Sequence, residues 1–225
     1  LVRSRGLGDV YKRQLSTTLK LADAANLTVG LFYTDFKNML DQENIGKETI
    51  DNKQFDATKE INHGKVTAKG LEVLLNTASF HGFRFTGGYT YTHAEIKEGA
   101  WSKRGGDWAN SPSKRPNELP RHSLTARIDY EWNDFSAYVK SVSKFDSEQQ
   151  NTKGGPNVDK YKNYTLVDLG ASYVFKKQHR FSVAVNNIFD TGLEWVPSVT
   201  AGSYANAYKE YIDGRNFWFS YAYSF

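Results

Sequence analysis

Cysteine is absent from the 225 residues. That excludes a disulfide framework, a thiolate metal site and a cysteine nucleophile, and leaves the redox compartment open. Long apolar runs are absent as well. No stretch approaches the roughly 18 uninterrupted apolar residues that a transmembrane helix requires, and the mean hydropathy is negative. A helical membrane protein is therefore excluded. A spanning β-barrel is not, because its lipid-facing and lumen-facing residues alternate and their average stays that of a soluble protein. An excess of one charge is lacking too: 29 Lys and Arg stand against 25 Asp and Glu, a net +4 spread along the chain. Nucleic acid is thus not an expected partner. No Ser, His and Asp motif, phosphate-cradling glycine loop or HExxH occurs, and His63, His81, His93, His122 and His179 fall in different strands or turns. Enzymatic chemistry and a metal site are not expected.

What is present is an aromatic surplus, 14 Tyr, 14 Phe and 5 Trp beside only 5 Pro and a single Met. Such a surplus favours strands. Residues 1–14, LVRSRGLGDVYKRQ, follow neither a strand nor a helix period and are similar to translated adapter sequence. They are set aside as a non-native leader, and residues 15–225 are read as one β domain. In 123–132, Leu124, Ala126, Ile128, Tyr130 and Trp132 oppose Ser123, Thr125, Arg127, Asp129 and Glu131. Residues 83–91 and 217–225 repeat the alternation, and weaker versions cover 27–40, 67–76, 135–145, 167–175 and 180–189, with 16–21 as the end of another strand.

The connections alternate in length. Short ones fall at 22–26, 77–82, 133–134 and 176–178, and long ones at 41–61, 97–118, 146–162 and 190–212. Compact soluble domains rarely need repeated loops longer than about 12 to 15 residues. A transmembrane antiparallel up-and-down β-barrel explains the alternation, with short periplasmic turns and long extracellular loops. It also explains strands of about 10 to 14 residues, enough to cross hydrocarbon at a tilt. That order puts Phe225 at the periplasmic end. Trp132, Phe135, Phe175, Phe181, Tyr221, Tyr223 and Phe225 flank the short turns or the terminus, as an aromatic girdle would. A soluble β-sandwich is the competing fold, with shorter strands and no need for such a girdle.

Four pieces then carry a family resemblance: Gly70-Leu71-Glu72, Leu119-Pro120-Arg121-His122, Val185-Asn186-Asn187-Ile188-Phe189-Asp190, and Gly214-Arg215-Asn216-Phe217. In this order and spacing they resemble the C-terminal end of a TonB-dependent outer-membrane receptor of the ferric siderophore and colicin receptor type. The resemblance implies a plugged barrel of about 22 strands, of which this chain holds roughly eight or nine, and a plug with a TonB box that it does not contain. It implies active uptake of a ferric siderophore, most closely of the catecholate type, driven by the TonB–ExbB–ExbD system. Colicin or phage would be opportunistic partners, and outer-membrane lipid and lipopolysaccharide the surroundings. Alternating aromatics that end in a C-terminal Phe resemble the signal read by the barrel-assembly machinery, to be carried by Tyr221, Tyr223 and Phe225.

Ligand binding is expected in the long loops and the lumen beneath them. Segment 97–118 holds Trp101, Lys103, Arg104, Trp108, Lys114 and Arg115, with five basic residues against three acidic ones. Cations beside indoles suit an anionic aromatic ligand such as an iron catecholate, through charge pairing and stacking. The last loop adds Trp195, Tyr204 and Tyr208, while 41–61 is net acidic. No cofactor is expected, since iron would arrive inside the chelate. A passive porin-like diffusion channel is the alternative function, as is TonB-dependent uptake of haem, cobalamin or another substrate.

Overall fold

The computed structural model describes residues 9–98, 114–116, 119–150, 158–160, 162–192, 195–197, 204–206 and 212–225. Nine strands form one antiparallel sheet: β1 (Asp9–Leu21), β2 (Ala25–Ile50), β3 (Lys53–Thr77), β4 (Phe83–Glu98), β5 (His122–Trp132), β6 (Phe135–Phe145), β9 (Tyr164–Phe175), β10 (His179–Asn186) and β13 (Asn216–Tyr223). Every neighbour in the sheet is the next of these nine along the chain, an up-and-down meander. Two short ribbons sit in the connections, β7 (Glu148–Gln150) with β8 (Val158–Lys160) and β11 (Trp195–Pro197) with β12 (Tyr204–Asn206).

The register confirms the alternating faces. Leu19, Leu27, Leu75, Gly87, Ala126, Ser141 and Val167 face one another in a single row across seven strands. The row starts near the short-turn end of β1 and finishes near the opposite end of β9, so the strands are staggered as barrel curvature requires. Leu15, Leu31, Phe83, Ile128, Val139, Leu169, Val183 and Phe219 lie on the same face and are exposed. The other face carries Ser, Thr and charged residues and lines concavities, one of about 460 Å³ beside Arg127, Ser136, Tyr138, Ser172, Arg180 and Trp218. An apolar hollow of about 340 Å³ also opens on the first face beside Ile128, Val139, Leu169 and Val183, so it is the division into apolar and polar faces, apolar toward lipid in a spanning barrel, that makes the polar face the inner one. Among the described residues Ala94 is the one buried hydrophobic side chain, at 4% exposure. A single-layer sheet with no packed core and an apolar convex face needs hydrocarbon outside it, and a β-sandwich is excluded.

Tight turns close one end. Phe80 and Phe83 exchange backbone hydrogen bonds of 2.8 and 2.9 Å around His81 and Gly82, whose φ values are 49° and 83°. Both signs are those of the hairpin turn that matches strand twist. A Cβ on Gly82 would lie 2.3 Å from the Glu131 carbonyl oxygen, so this position requires glycine. Asn133, Lys176 and Lys177 also take left-handed φ at this end.

The other end departs from the expected pattern in three places. Segment 41–61 is not a loop: β2 and β3 continue as a ladder to a turn at Asp51 and Asn52, with register shifts at Phe36/Met39 and Asn44/Gly46. Backbone groups pair whether or not the side chains alternate, and that is why polar sequence hid the strand. For the same reason β1 starts at Asp9, pairing 9–14 with 32–37, ahead of the expected start at residue 16. Strand β10 stops at Asn186 rather than residue 189, because Asn187 turns into the left-handed region at φ 50°.

Asn187 is only 4% exposed and acts as a hub. Its Nδ2 donates to the carbonyls of Thr191 and Asp213 (2.8 and 2.9 Å), its Oδ1 accepts from the Thr191 N–H, and its own N–H donates to Asp168 Oδ1. Asp190 Oδ1 accepts from the Arg215 N–H at 2.7 Å. The Asn-Asn-Ile-Phe-Asp motif therefore clamps the start of the last connection to its end, just before β13. Asn187→Ala, made in the full-length protein, should destabilise it by about 1 to 3 kcal/mol, since the carbonyls of Thr191 and Asp213 lose a part-buried donor and alanine disfavours positive φ. The urea unfolding midpoint measures this; an unchanged midpoint would remove the clamp from the account.

Candidate ligand site on the loop side of the barrel

The long connections gather at the end opposite the tight turns, and two polar constellations are built there and beneath. The first joins two connections, the one between β4 and β5 and the one between β6 and β9. Arg115 pairs with Glu148 at 2.8 Å and with Asp146 at 3.4 Å, and its guanidinium also donates to the carbonyls of Asp146 and Leu119. Arg121 pairs with Asp146 at 3.1 Å, and the Asp146 N–H donates to Asn163 Oδ1 at 2.9 Å. The side chains of Arg115 and Glu148 are only 11% and 12% exposed, so this pair is screened far less than a surface bridge.

The second constellation lies on the polar wall below. Arg127 forks onto Asp129, with Nε at 2.9 Å from both carboxylate oxygens, and its guanidinium carbon sits 4.2 Å from the Tyr138 ring centre. The Tyr138 ring lies against Gly170, where an added Cβ would fall 2.3 Å from the ring edge. Lys140 and Asp168 approach to 3.7 Å, and Trp218 Nε1 donates to Asn216 Oδ1 at 2.7 Å. Cation, carboxylate and indole thus border the 460 Å³ concavity on rigid strands, the placement that positions polar groups most accurately.

The expected site residues divide three ways. Trp101, Lys103, Arg104, Trp108 and Tyr208 lie outside the described residues. Trp195 and Tyr204 belong to the ribbon of β11 and β12, where Trp195 faces Asn206 and Tyr204 faces Pro197. Lys114 and Arg115 are described and differ. Lys114 is exposed, and its carbonyl accepts the Ile96 N–H at 2.7 Å. Arg115 is engaged by Asp146 and Glu148, so its charge is already answered by the barrel. Next to Lys114, a hydrogen bond from Lys97 holds the Glu95 carboxyl below the ordinary carboxylate range, with the charges of Lys114 and His93 acting in the same direction.

Arg121, Asp146, Glu148 and Asn163 escaped sequence reasoning because their partners are 17 to 33 residues away. Arg127, Asp129, Tyr138 and Arg180 were legible only as the polar half of an alternating pattern. At the tight-turn end, Tyr221 and Tyr223 sit on the apolar face. Tyr221 Oη lies 2.9 Å from His179 Nδ1, Tyr223 packs 5.1 Å from the His179 ring centre, and Phe225 packs edge-on against Tyr223.

Arg115→Ala should destabilise the full-length protein by about 1 to 2 kcal/mol, below the roughly 3 to 5 of a fully buried pair because Asp146 and Arg121 remain partly exposed. Lys114→Ala should stay within about 0.5 kcal/mol. Thermal unfolding of the two variants side by side checks the difference, and equal values would dissolve the network.

Comparison with known proteins agrees with this architecture. Residues 12–188 match the family model described as TonB dependent receptor-like, beta-barrel. An iron-regulated outer membrane virulence protein of Vibrio cholerae serotype O1 is 26% identical over 200 residues, covering 87% of this chain and 27% of that protein. The catecholate siderophore receptor Fiu of Escherichia coli strain K12 is 24% identical over 179 residues, 79% of this chain and 21% of Fiu. Among solved structures, a ferric enterobactin receptor of Pseudomonas aeruginosa, crystallised with enterobactin, superposes with a TM-score of 0.68 at 18% identity. That match covers 96% of this chain and 31% of the receptor, and speaks for the fold. The chain spans about a quarter of the length of the curated relatives it matches.

Proposed function

The chain belongs to the TonB-dependent receptor-like β-barrel family, and on that premise we propose that it is the C-terminal part of an outer-membrane receptor for active uptake of a ferric siderophore, of the catecholate type. The observation that carries the reading is the two-faced sheet, apolar outside and polar inside, with its long connections gathered at one end. The names of the relatives, an iron-regulated outer membrane protein and a catecholate siderophore receptor, support the same substrate class.

In this reading the long-connection end faces the medium and Phe225 faces the periplasm. Trp101, Lys103, Arg104 and Trp108, with Trp195, Tyr204 and Tyr208 across the mouth, capture the anionic chelate by charge pairing and stacking. Arg115 holds the loop bases rather than the ligand. The charged wall around Arg127 and Asp129 receives a plug, and the TonB–ExbB–ExbD system acts through that plug. Iron travels inside the chelate, so no resident cofactor is involved. Tyr221, Tyr223 and Phe225, exposed on the apolar face beside the tight turns, present the strand that the barrel-assembly machinery recognises.

A receptor-deleted strain complemented with the full-length gene should grow on ferric catecholates as sole iron source and stop growing when tonB function is removed. Growth on other chelates but on no catecholate overturns the substrate class, and growth without TonB favours a passive channel. Charge reversal of Lys103 and Arg104 to Glu should weaken chelate binding by about tenfold, about 1.4 kcal/mol; unchanged affinity removes that loop from the site. Deleting Phe225 should lower the amount of receptor in the outer membrane without lowering its synthesis. Equal surface levels would leave the terminal aromatics with a structural role alone.

A further inference from the structure

On the convex face of β2, β3 and β4 the apolar belt ends at one row. Leu31, Leu71 and Tyr91 face one another across the three strands, and the next row outward is Tyr33, Lys69 and His93. Below lie Val29, Val73 and Tyr89, so the change from apolar to cationic happens within a single step of the pleat. Lys69 is exposed, His93 half-buried, and Leu31 and Tyr33 are 57% and 43% exposed.

Height fits as well. From Thr77 at the tight-turn end to Lys69, a rise of about 3.3 Å per residue at a tilt of about 40° gives about 20 Å, and from Phe83 to His93 about 25 Å. That is the height of the outward apolar band of an outer-membrane barrel, about 25 Å. Lys69 and His93 therefore stand where headgroups begin.

Two carboxylates, Asp35 and Glu95, occupy the next row outward, each with a lysine beside it, and Asp35 Oδ1 has no hydrogen-bond partner among the described residues. Asp35 pairs with Lys37 at 3.7 Å, and Glu95 pairs with Lys97. Lys69 and His93 make no ion pair among the described residues, and Cβ atoms of directly opposed residues stand about 5 Å apart. Two nitrogen-bearing side chains on directly opposed positions at the edge of an apolar wall match an anion whose own tail is apolar. We infer that Lys69 and His93 form a docking point for the phosphate of a membrane lipid in the leaflet on the long-connection side, with its acyl chains along Leu31, Leu71, Val73 and Tyr91. The ammonium supplies charge and the imidazole an N–H donor. This rests on the outer-membrane reading above and is independent of the transported chelate.

The test uses the full-length receptor in an uncharged detergent, with native mass spectrometry as readout. The probes are a disaccharide lipid bearing two phosphates and the same lipid dephosphorylated. Wild type should retain the phosphorylated lipid at least about fivefold more than the dephosphorylated one. In Lys69→Gln/His93→Ala the ratio should fall to near one, and Lys69→Arg should keep it. Equal preference in wild type and the double variant overturns the assignment. So does complete displacement by millimolar inorganic phosphate, which would mark a free-anion site instead. Heat-modifiable migration on a gel confirms that each variant is folded. Binding of a ferric triscatecholate, measured on the same samples, separates the two readings: its failure in wild type sinks the uptake proposal and leaves the lipid result standing.

Discussion

Backbone pairing across nine antiparallel strands is the constraint on which everything else in this structure depends. Among the described residues no packed core holds the sheet, so its order comes from ladder hydrogen bonds that join each strand to its neighbours, with β1 and β13 at the edges and the distal parts of β2 and β3 paired only with each other. In hydrocarbon those bonds have no competitor, since water is not there to replace them. The stagger of the rows follows from the same pairing and sets the curvature, and curvature makes one face an inside and the other an outside.

Side chains then act as local locks on that register. At the tight-turn end His179, Phe181, Tyr221 and Tyr223 stack across β10 and β13. Toward the loop side Tyr89 and Tyr91 do so with His122, Tyr89 Oη lying 2.8 Å from His122 Nδ1. His–Tyr pairs thus occur near both ends of the apolar wall, where rings with one polar tip are favoured. On the inner wall the lock is the reverse, a missing side chain: Tyr138 lies on Gly170 because no Cβ stands in its way, and Arg127 lies on Tyr138.

At the loop end two polar hubs do what a core would do elsewhere. Asn187 joins the two ends of the last long connection, and Asp146 with Arg115 and Arg121 joins the bases of the two before it. Both anchor the connections at their roots. Anchored roots of this kind let a connection change in sequence without disturbing the ladder.

The period-two pattern determined most of the wall. Leu124 to Trp132 against Ser123 to Glu131 is visible in any short window, because a strand exposes alternate residues to opposite solvents. Membrane-barrel class, the two faces and the aromatic terminal strand could thus be read without coordinates. What the tertiary structure alone decided was every matter of distant pairing: that 41–61 continues as a ladder, that Asn187 ends β10, that Arg115 serves Asp146 and Glu148, and that Lys69 stands beside His93. The physical reason is the same in each. Alternation is a local property of one strand, whereas register joins residues tens of positions apart, and no window of sequence contains both partners.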